Sequence, residues 1–163
     1  MPMTDHLSAG TGSWPLGVTH AHVGMVTSDI DRAVAVLGEQ FGLTFPPIDD
    51  FAERLRAAGS PALVDGHGRA VPGAARVVTS TGGPMRVEVL EGLPGSVWHC
   101  EHVLRLHHLA YAVDDVASAA APLIAARWEV EVTLGAPDGS PRGFAYLRRP
   151  GEPRIELTTS GGR

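Results

Sequence analysis

The chain has 163 residues, 44% of them hydrophobic and 19% charged, with a formal net charge of −5. That is the size and composition of one ordinary domain, with no bulk attraction for nucleic acid or an anionic membrane and no apolar run long enough to span a bilayer. All 13 basic residues are Arg, and Asn is absent. Schiff-base lysine chemistry, a lysine-bearing phosphate loop, an N-glycosylation acceptor and a Cys/His/Asn triad are therefore excluded. The single Cys100 excludes an internal disulfide and a CxxC site.

Residues 1–17 are rich in Gly, Ser, Thr and Pro and carry no periodicity, so they read as a mobile tail, with a loosely packed arm as the alternative. They lack the charged start and apolar core of a signal peptide, and together with the absence of disulfides this predicts a cytoplasmic protein. From Val18, the run VTHAHVGMVT reads as a strand. Ser28 or Asp29 then caps a helix whose Ile30, Ala33, Val34, Leu37 and Phe41 form one buried stripe, with Gly42 as its stop. Phe45 to Ala75 breaks the pattern with Pro46-Pro47, a short amphipathic piece from Asp50 to Ala58 and a Gly-rich loop. Asp49, Asp50 and Glu53 in it read as helix capping and a solvated face, although they could reach towards a site. A strand follows around Arg86-Val87-Glu88-Val89-Leu90.

The sequence then repeats itself. LHHLAYAV is a strand, Asp114 or Asp115 caps, and Val116, Ala119, Ala120 and Leu123 restate the first helical stripe, with Pro122 as a defect. His22 falls on His108 at an offset of 86 residues; Asp29 then falls on Asp115 and Leu37 on Leu123. Arg154-Ile155-Glu156-Leu157 answers Arg86-Val87-Glu88-Val89. The excess length of the first half falls in 45–75. The predicted fold is α+β: two tandem βαβββ modules, 18–92 and 105–160, joined by a linker 93–104, making one domain (18–160) around a cleft.

Four residues recur at equivalent places: His22 and His108 in the first strand of each module, Glu88 and Glu156 in the last. Imidazole and carboxylate suit Zn, Mn, Fe, Co or Ni better than Ca or Mg. Two carboxylates on sheet faces each cost several kcal/mol if buried unpaired, on the order expected for a lone buried charge. One divalent cation would compensate all four residues. His20, two residues from His22, is an alternative ligand or a partner behind it. Simple alternation along the strand turns His107 away from His108, which leaves it to a backbone group. His99, Cys100, Glu101 and His102 resemble a metal cluster but lie in the linker without a partner set. Cys100 reads as a packed or surface thiol rather than a nucleophile, and His67 as a loop residue. Trp14, Trp98, Trp128, Phe144 and Tyr146 are core residues or, alternatively, the lining of an apolar cavity.

The segments AHVGMVTSDIDRAV, VEVLEGLPGSVW, LHHLAYAVDDV and FAYLRRPGEPRIELTT resemble the vicinal-oxygen-chelate superfamily, which includes glyoxalase I, methylmalonyl-CoA epimerase, extradiol dioxygenases, fosfomycin-resistance enzymes and bleomycin-binding proteins. The resemblance implies paired βαβββ modules with a metal in the cleft between them. It implies His22, Glu88, His108 and Glu156 as metal ligands in the His/Glu/His/Glu form of the isomerase and epimerase branch. The two-His, one-Glu oxygenases and the metal-free binders match less well. The expected activity is that of a metal-dependent isomerase, epimerase or lyase acting on a small carbonyl substrate through an enolate, with Glu88 or Glu156 as the catalytic base. The alternatives are a non-haem Fe(II) oxygenase of the same fold and a non-catalytic small-molecule-binding protein. The expected partners are the small-molecule substrate and a second copy in a homodimer, with no nucleic acid and no membrane. Whether the modules pair within one chain or across the dimer is open at this point.

Overall fold

The computed structural model describes residues 19–57, 59, 62–136 and 138–159, and of His20 the backbone alone. The expected tail at 1–17, with Trp14, lies outside the described residues. Nine strands form one mixed sheet: β1 (Thr19–Thr27), β2 (Asp49–Asp50), β3 (Leu63–Val64), β4 (Ala74–Thr79), β5 (Val87–Gly92), β6 (Arg105–Val113), β7 (Glu129–Leu134), β8 (Phe144–Arg148) and β9 (Ile155–Thr159). Among the described residues three helices accompany them: α1 (Ile30–Phe41), α2 (Phe51–Ala57) and α3 (Val116–Ala125). The strand order is β2-β4-β5-β1-β6-β9-β8-β7-β3. Apart from β3, which pairs with β7 at the far edge, the first βαβββ module occupies one side of the β1/β6 pair and the second module the other, both within one chain.

Local chemistry sets the helices. Asp29 caps α1 by accepting from the Arg32 amide, and Gly42 ends it in the left-handed region at φ 66°, a conformation that costs glycine nothing. Asp115 caps α3 in the same way through the Ser118 amide. Pro122 sits within α3. It lacks the N–H that would bond back one turn, and the helix stops three residues later. Phe41, the last residue of the predicted α1 stripe, is 57% exposed. The capped turn at Gly42 carries the chain away before that side chain reaches the sheet, so the buried stripe ends at Leu37.

Strand alternation divides the side chains between two faces. Val87 and Val89 turn outward beneath α1, against Ile30, Ala33 and Leu37. Ile155 and Leu157 turn outward beneath α3, against Val116 and Ala120. Glu88, Leu90 and Glu156 consequently turn to the opposite, inner face. A third apolar cluster fills part of that inner face: Val26, Phe51, Leu63, Val77, Leu90, Trp98, Val132 and Tyr146.

The insertion bridges the two ends of the sheet. β2 pairs with β4 at one edge and β3 with β7 at the other, with only α2 and five residues between them. A helix of this length spans about 10 Å, and five extended residues add at most about 17 Å. Nine flat strands would span roughly 38 Å. The sheet must therefore curl until its edges approach, and Phe51 and Leu63 of the insertion pack on the inside of that curl. Asp50 caps α2 by accepting from the Glu53 amide, and Asp49 lies 3.9 Å from Arg54 on an exposed face. Neither extends to the residues described next.

Candidate metal centre

The register of the central strands lines up two rows across the inner face. β1 and β6 run antiparallel with Gly24 opposite His108 and His22 opposite Ala110. β5 lies parallel to β1 with Glu88 beside Gly24, and β9 lies parallel to β6 with Glu156 beside Ala110. One row is thus Glu88–Gly24–His108, and the other is His22–Ala110–Glu156. Val23 pairs with Leu109 midway between the rows, so a pseudo-twofold axis passes there and exchanges the two rows.

The four predicted residues meet. The Nε2 atoms of His22 and His108 are 3.2 Å apart. Glu156 Oε2 lies 3.1 Å from His22 Nε2 and 2.9 Å from His108 Nε2. Glu88 Oε2 is farther off, at 3.4 and 3.8 Å from the same two atoms. All four donor atoms lie within 4.8 Å of one another. Ligands about 2.1 Å from a common ion at 90 to 109° are separated by roughly 3.0 to 3.4 Å, so His22, His108 and Glu156 are spaced for a single divalent cation, and Glu88 stands beside them, a short side-chain movement from joining it. The donor set of two imidazoles and two carboxylates suits a first-row transition ion.

Gly24 makes the cradle. A Cβ placed there would sit 1.8 Å from Cε1 of His108, so the imidazole occupies the volume of the missing side chain. On the other row the counterpart of Gly24 is Ala110, fully buried. In both rows the residue between the ligands is small.

Burial sharpens the electrostatics. The His108 side chain is fully buried, and those of Glu156, His22 and Glu88 are 9, 10 and 13% exposed. Burial by itself lowers the pKa of His22, but the hydrogen bonds to Glu156 and then Glu88 outweigh it and raise the group to about 10. Burial likewise pushes Glu156 up, and the hydrogen bonds from His108 and His22 overcome this to hold it below the usual carboxylate range. A proton on His22 thus partly compensates the two carboxylates, in the place a cation would take.

The sequence pattern missed what surrounds the ligands. β6 bulges at His107, because Gly24 faces His108 while Met25 faces Leu106. A bulge breaks strict alternation, and His107 does not turn away from His108. Their Nδ1 atoms are 2.9 Å apart, and His107 Nε2 lies 2.9 Å from the Val97 carbonyl. The expected backbone partner is therefore present as well. Burial first, then the charges of Arg154 and His108, lower the His107 pKa to about 3. Arg154 donates towards the His107 carbonyl at 3.5 Å while its guanidinium pairs with Glu131 at 2.5 and 2.9 Å, which pins the bulge. Tyr146 packs on His108 with ring centroids 4.8 Å apart. Its hydroxyl accepts from Trp98 Nε1 at 3.1 Å, and burial drives its pKa well above the ordinary value.

Other candidates stand elsewhere. β1 also bulges, between His20 and His22, so alternation does not carry from one to the other, and the His20 side chain lies outside the described residues. His99, Glu101 and His102 are exposed, and Cys100 is a buried thiol in the inner cluster. His22, Glu88, His108 and Glu156 form the one potential metal-holding group among the described residues. Trp98 and Tyr146 are core, Trp128 packs beneath α3 with Arg149 over its ring, and Phe144 is half-buried beside the inner cluster.

A family model described as the Glyoxalase/Bleomycin resistance protein/Dioxygenase superfamily matches residues 21–146, and the chain belongs to that superfamily. No curated protein matches it in sequence. Among solved structures it is similar to a methylmalonyl-CoA epimerase in complex with methylmalonyl-CoA and NH4+, with 18% identity, a TM-score of 0.58, and 88% of this chain and 96% of that one covered. It is also similar to methylmalonyl-CoA epimerase from Mycobacterium tuberculosis, with 15% identity, a TM-score of 0.56, and 86% of each chain covered. A variant of 4-hydroxymandelate synthase from Streptomyces coelicolor matches with 19% identity and a TM-score of 0.55 over 87% of this chain and 38% of that one. The chain thus spans well under half the length of that synthase. These likenesses establish the curled-sheet fold of tandem modules. No helix among the described residues is long and apolar enough to cross a membrane.

Proposed function

We propose that His22, Glu88, His108 and Glu156 hold one divalent ion, and that the chain is a metal-dependent isomerase, epimerase or lyase acting on a small carbonyl compound. The observation that carries this reading is the convergence of two imidazoles and two carboxylates from four strands of both modules, with donor spacings suited to one ion. When bound, the ion supplies Lewis acidity to a substrate carbonyl and makes the neighbouring C–H more acidic.

The residues of the chain divide the remaining work. Glu156 sits tightest against both imidazoles and holds the set together. Glu88 is the more exposed carboxylate and stands farther from both Nε2 atoms. It is the group that takes the proton from the substrate carbon and returns it, to the other face for epimerisation or to another atom for isomerisation. Tyr146, Trp98 and Phe51 keep water from one side of the site, which strengthens charge interactions there. We further propose that residues 18–160 act as one unit and that the protein is a cytoplasmic homodimer, although the site draws all four groups from one chain.

One observation favours a second reading. His22, His108 and Glu156 are mutually within 3.2 Å, the two-His, one-carboxylate set of non-haem iron oxygenases, with Glu88 standing apart. Incubation of metal-loaded protein with a panel of α-hydroxy ketones, 1,3-dicarbonyls and β-keto acid derivatives in D₂O, with an oxygen electrode in parallel, separates the readings. Solvent deuterium in recovered substrate without oxygen uptake supports proton transfer. Oxygen uptake without deuterium entry supports the oxygenase. Tight binding of a compound with neither, by protein that holds no metal, supports a binding protein.

A further inference from the structure

The two imidazoles of the site are not held alike. The bulge residue before His22 is Ala21, and the bulge residue before His108 is its counterpart across the pseudo-twofold, His107. His107 is 6% exposed, with Nε2 at 2.9 Å from the Val97 carbonyl oxygen and Nδ1 at 2.9 Å from Nδ1 of His108. A carbonyl oxygen can only accept, so the ring hydrogen of neutral His107 sits on Nε2. Its Nδ1 is then a bare acceptor, and His108 must place a hydrogen on its own Nδ1. In the metal-loaded protein, where an ion replaces the hydrogen that His108 shares with Glu156 in the metal-free protein, the lone pair of His108 is thereby left on Nε2, the atom 3.2 Å from His22 Nε2 and 2.9 Å from Glu156 Oε2.

We propose that His107 is a positioning residue for the metal centre: anchored on the Val97 carbonyl, it fixes the tautomer and the ring direction of His108 so that Nε2 presents its lone pair to the ion. A hydrogen-bond partner behind an imidazole ligand sets which nitrogen is free and how the ring is turned. The anchor is rigid. Val97 precedes Trp98, a fully buried side chain bonded to Tyr146, and Arg154 holds the His107 carbonyl from the other side. The segment between the modules thus reaches the metal site through one carbonyl and one ring. His22 has no comparable partner among the described residues, so His108 is the fixed ligand and His22 the adjustable one.

This role rests on the metal-site reading, and the test separates the two. Zinc is titrated into metal-free wild-type protein, His107→Leu and His107→Gln in competition with a chromophoric chelator, with circular dichroism as the check on folding. One zinc per wild-type chain is expected. His107→Leu weakens binding by about 10- to 100-fold, the usual effect of removing such a partner. His107→Gln, whose amide can both donate to Val97 and accept from His108, recovers most of it. Nitrogen-15 spectra of the zinc-loaded wild type then place the hydrogen on Nε2 of His107 and on Nδ1 of His108. Absence of zinc from the wild type overturns the metal site and this role with it. Wild-type affinity in a folded His107→Leu, or a hydrogen on Nδ1 of His107, overturns the role of His107 alone. If His107→Leu does not fold, the wild-type spectra decide.

Discussion

The first module places His22 after an alanine bulge and opposite Ala110, and carries an insertion that bridges both edges of the sheet. The second places His108 after a histidine bulge and over Gly24, with no insertion. The register of the central strands is symmetric about the Val23–Leu109 pair, yet the side chains of the two halves differ in function. The second half is built to hold an imidazole still, with its ring in the cradle of Gly24 and its Nδ1 held by His107. The first half leaves its imidazole and its carboxylate looser and uses its extra length to close over the inner face. Duplicated scaffolds can thus share a site while assigning rigidity to one copy and adaptability to the other.

The comparison predicts an order of effects. His108→Ala removes the held ligand and should lose metal almost completely, beyond the about 10- to 100-fold cost of losing a partner behind a ligand. His22→Ala should retain more, because the ligand held by His107 and the Gly24 cradle remains in place. Elemental analysis of both variants, purified identically, gives the ranking, and equal retention would erase the distinction between the halves. Gly24→Ala should approach the His108→Ala result, since the new methyl falls within the His108 ring, 1.8 Å from Cε1 and 2.1 Å from both ring nitrogens, and the ring must leave its place to admit it. The folding cost is the roughly 1 to 3 kcal/mol typical of overpacking, measurable by denaturant unfolding. Ala110→Gly, its counterpart, should leave metal content unchanged.

The two carboxylates divide in the same way. Glu88→Gln should lower substrate proton exchange by about 10²- to 10⁴-fold, the range for a general base, while keeping much of the metal. Glu156→Gln should lose metal first. Paired measurements of deuterium exchange and metal content test this, and the reverse pattern would transfer the base to Glu156.

The pH response follows from the shifted groups. In metal-free protein His22 keeps its proton up to about 10, so metal uptake at neutral pH should release about one proton per chain. Affinity should rise with pH across this range, as read by calorimetry in buffers of different ionisation heat. The same shifts set metal-free stability. The raised His22 contributes stability that is full below its unfolded value of 6.5 and is lost as pH climbs towards 10. The lowered Glu156 contributes stability present above its ordinary 4.5 and lost as pH falls below it. Denaturation midpoints of the metal-free protein should therefore peak between these values, and a flat profile would mean the two groups are not coupled. The smallest effect is Tyr146→Phe, which leaves the Trp98 indole N–H without its acceptor and should cost about 1 to 3 kcal/mol of stability, with metal content unchanged.

Much of this architecture is written in the sequence as a repeat. The 86-residue offset carries the strand, the capping Asp and the helical stripe of each half, and it sets His22 against His108 and Glu88 against Glu156. Local signals suffice there because capping and periodicity act within a few residues. What escapes is decided between strands. The bulge at His107 exists only because of the register β6 adopts against β1, and strict alternation along its own strand turns that ring the wrong way. Gly24 reads as an ordinary strand glycine until the ring of a residue 84 positions away is found in the space beside it. The two short strands of the insertion carry no alternation long enough to read, and their pairing with opposite edges depends on the curl of the whole sheet. Phe41 continues the helical period but falls in the last turn, where periodicity no longer implies contact.

The central claim is that one divalent ion binds each chain at the meeting point of the two rows. Crystals of the protein loaded with cobalt and measured at the cobalt absorption edge would locate the ion without reference to activity. The account predicts a single anomalous peak about 2.0 to 2.2 Å from Nε2 of His22, Nε2 of His108 and a carboxylate oxygen each of Glu88 and Glu156. A fully loaded crystal with its peak elsewhere, or with no peak among these four residues, would contradict it.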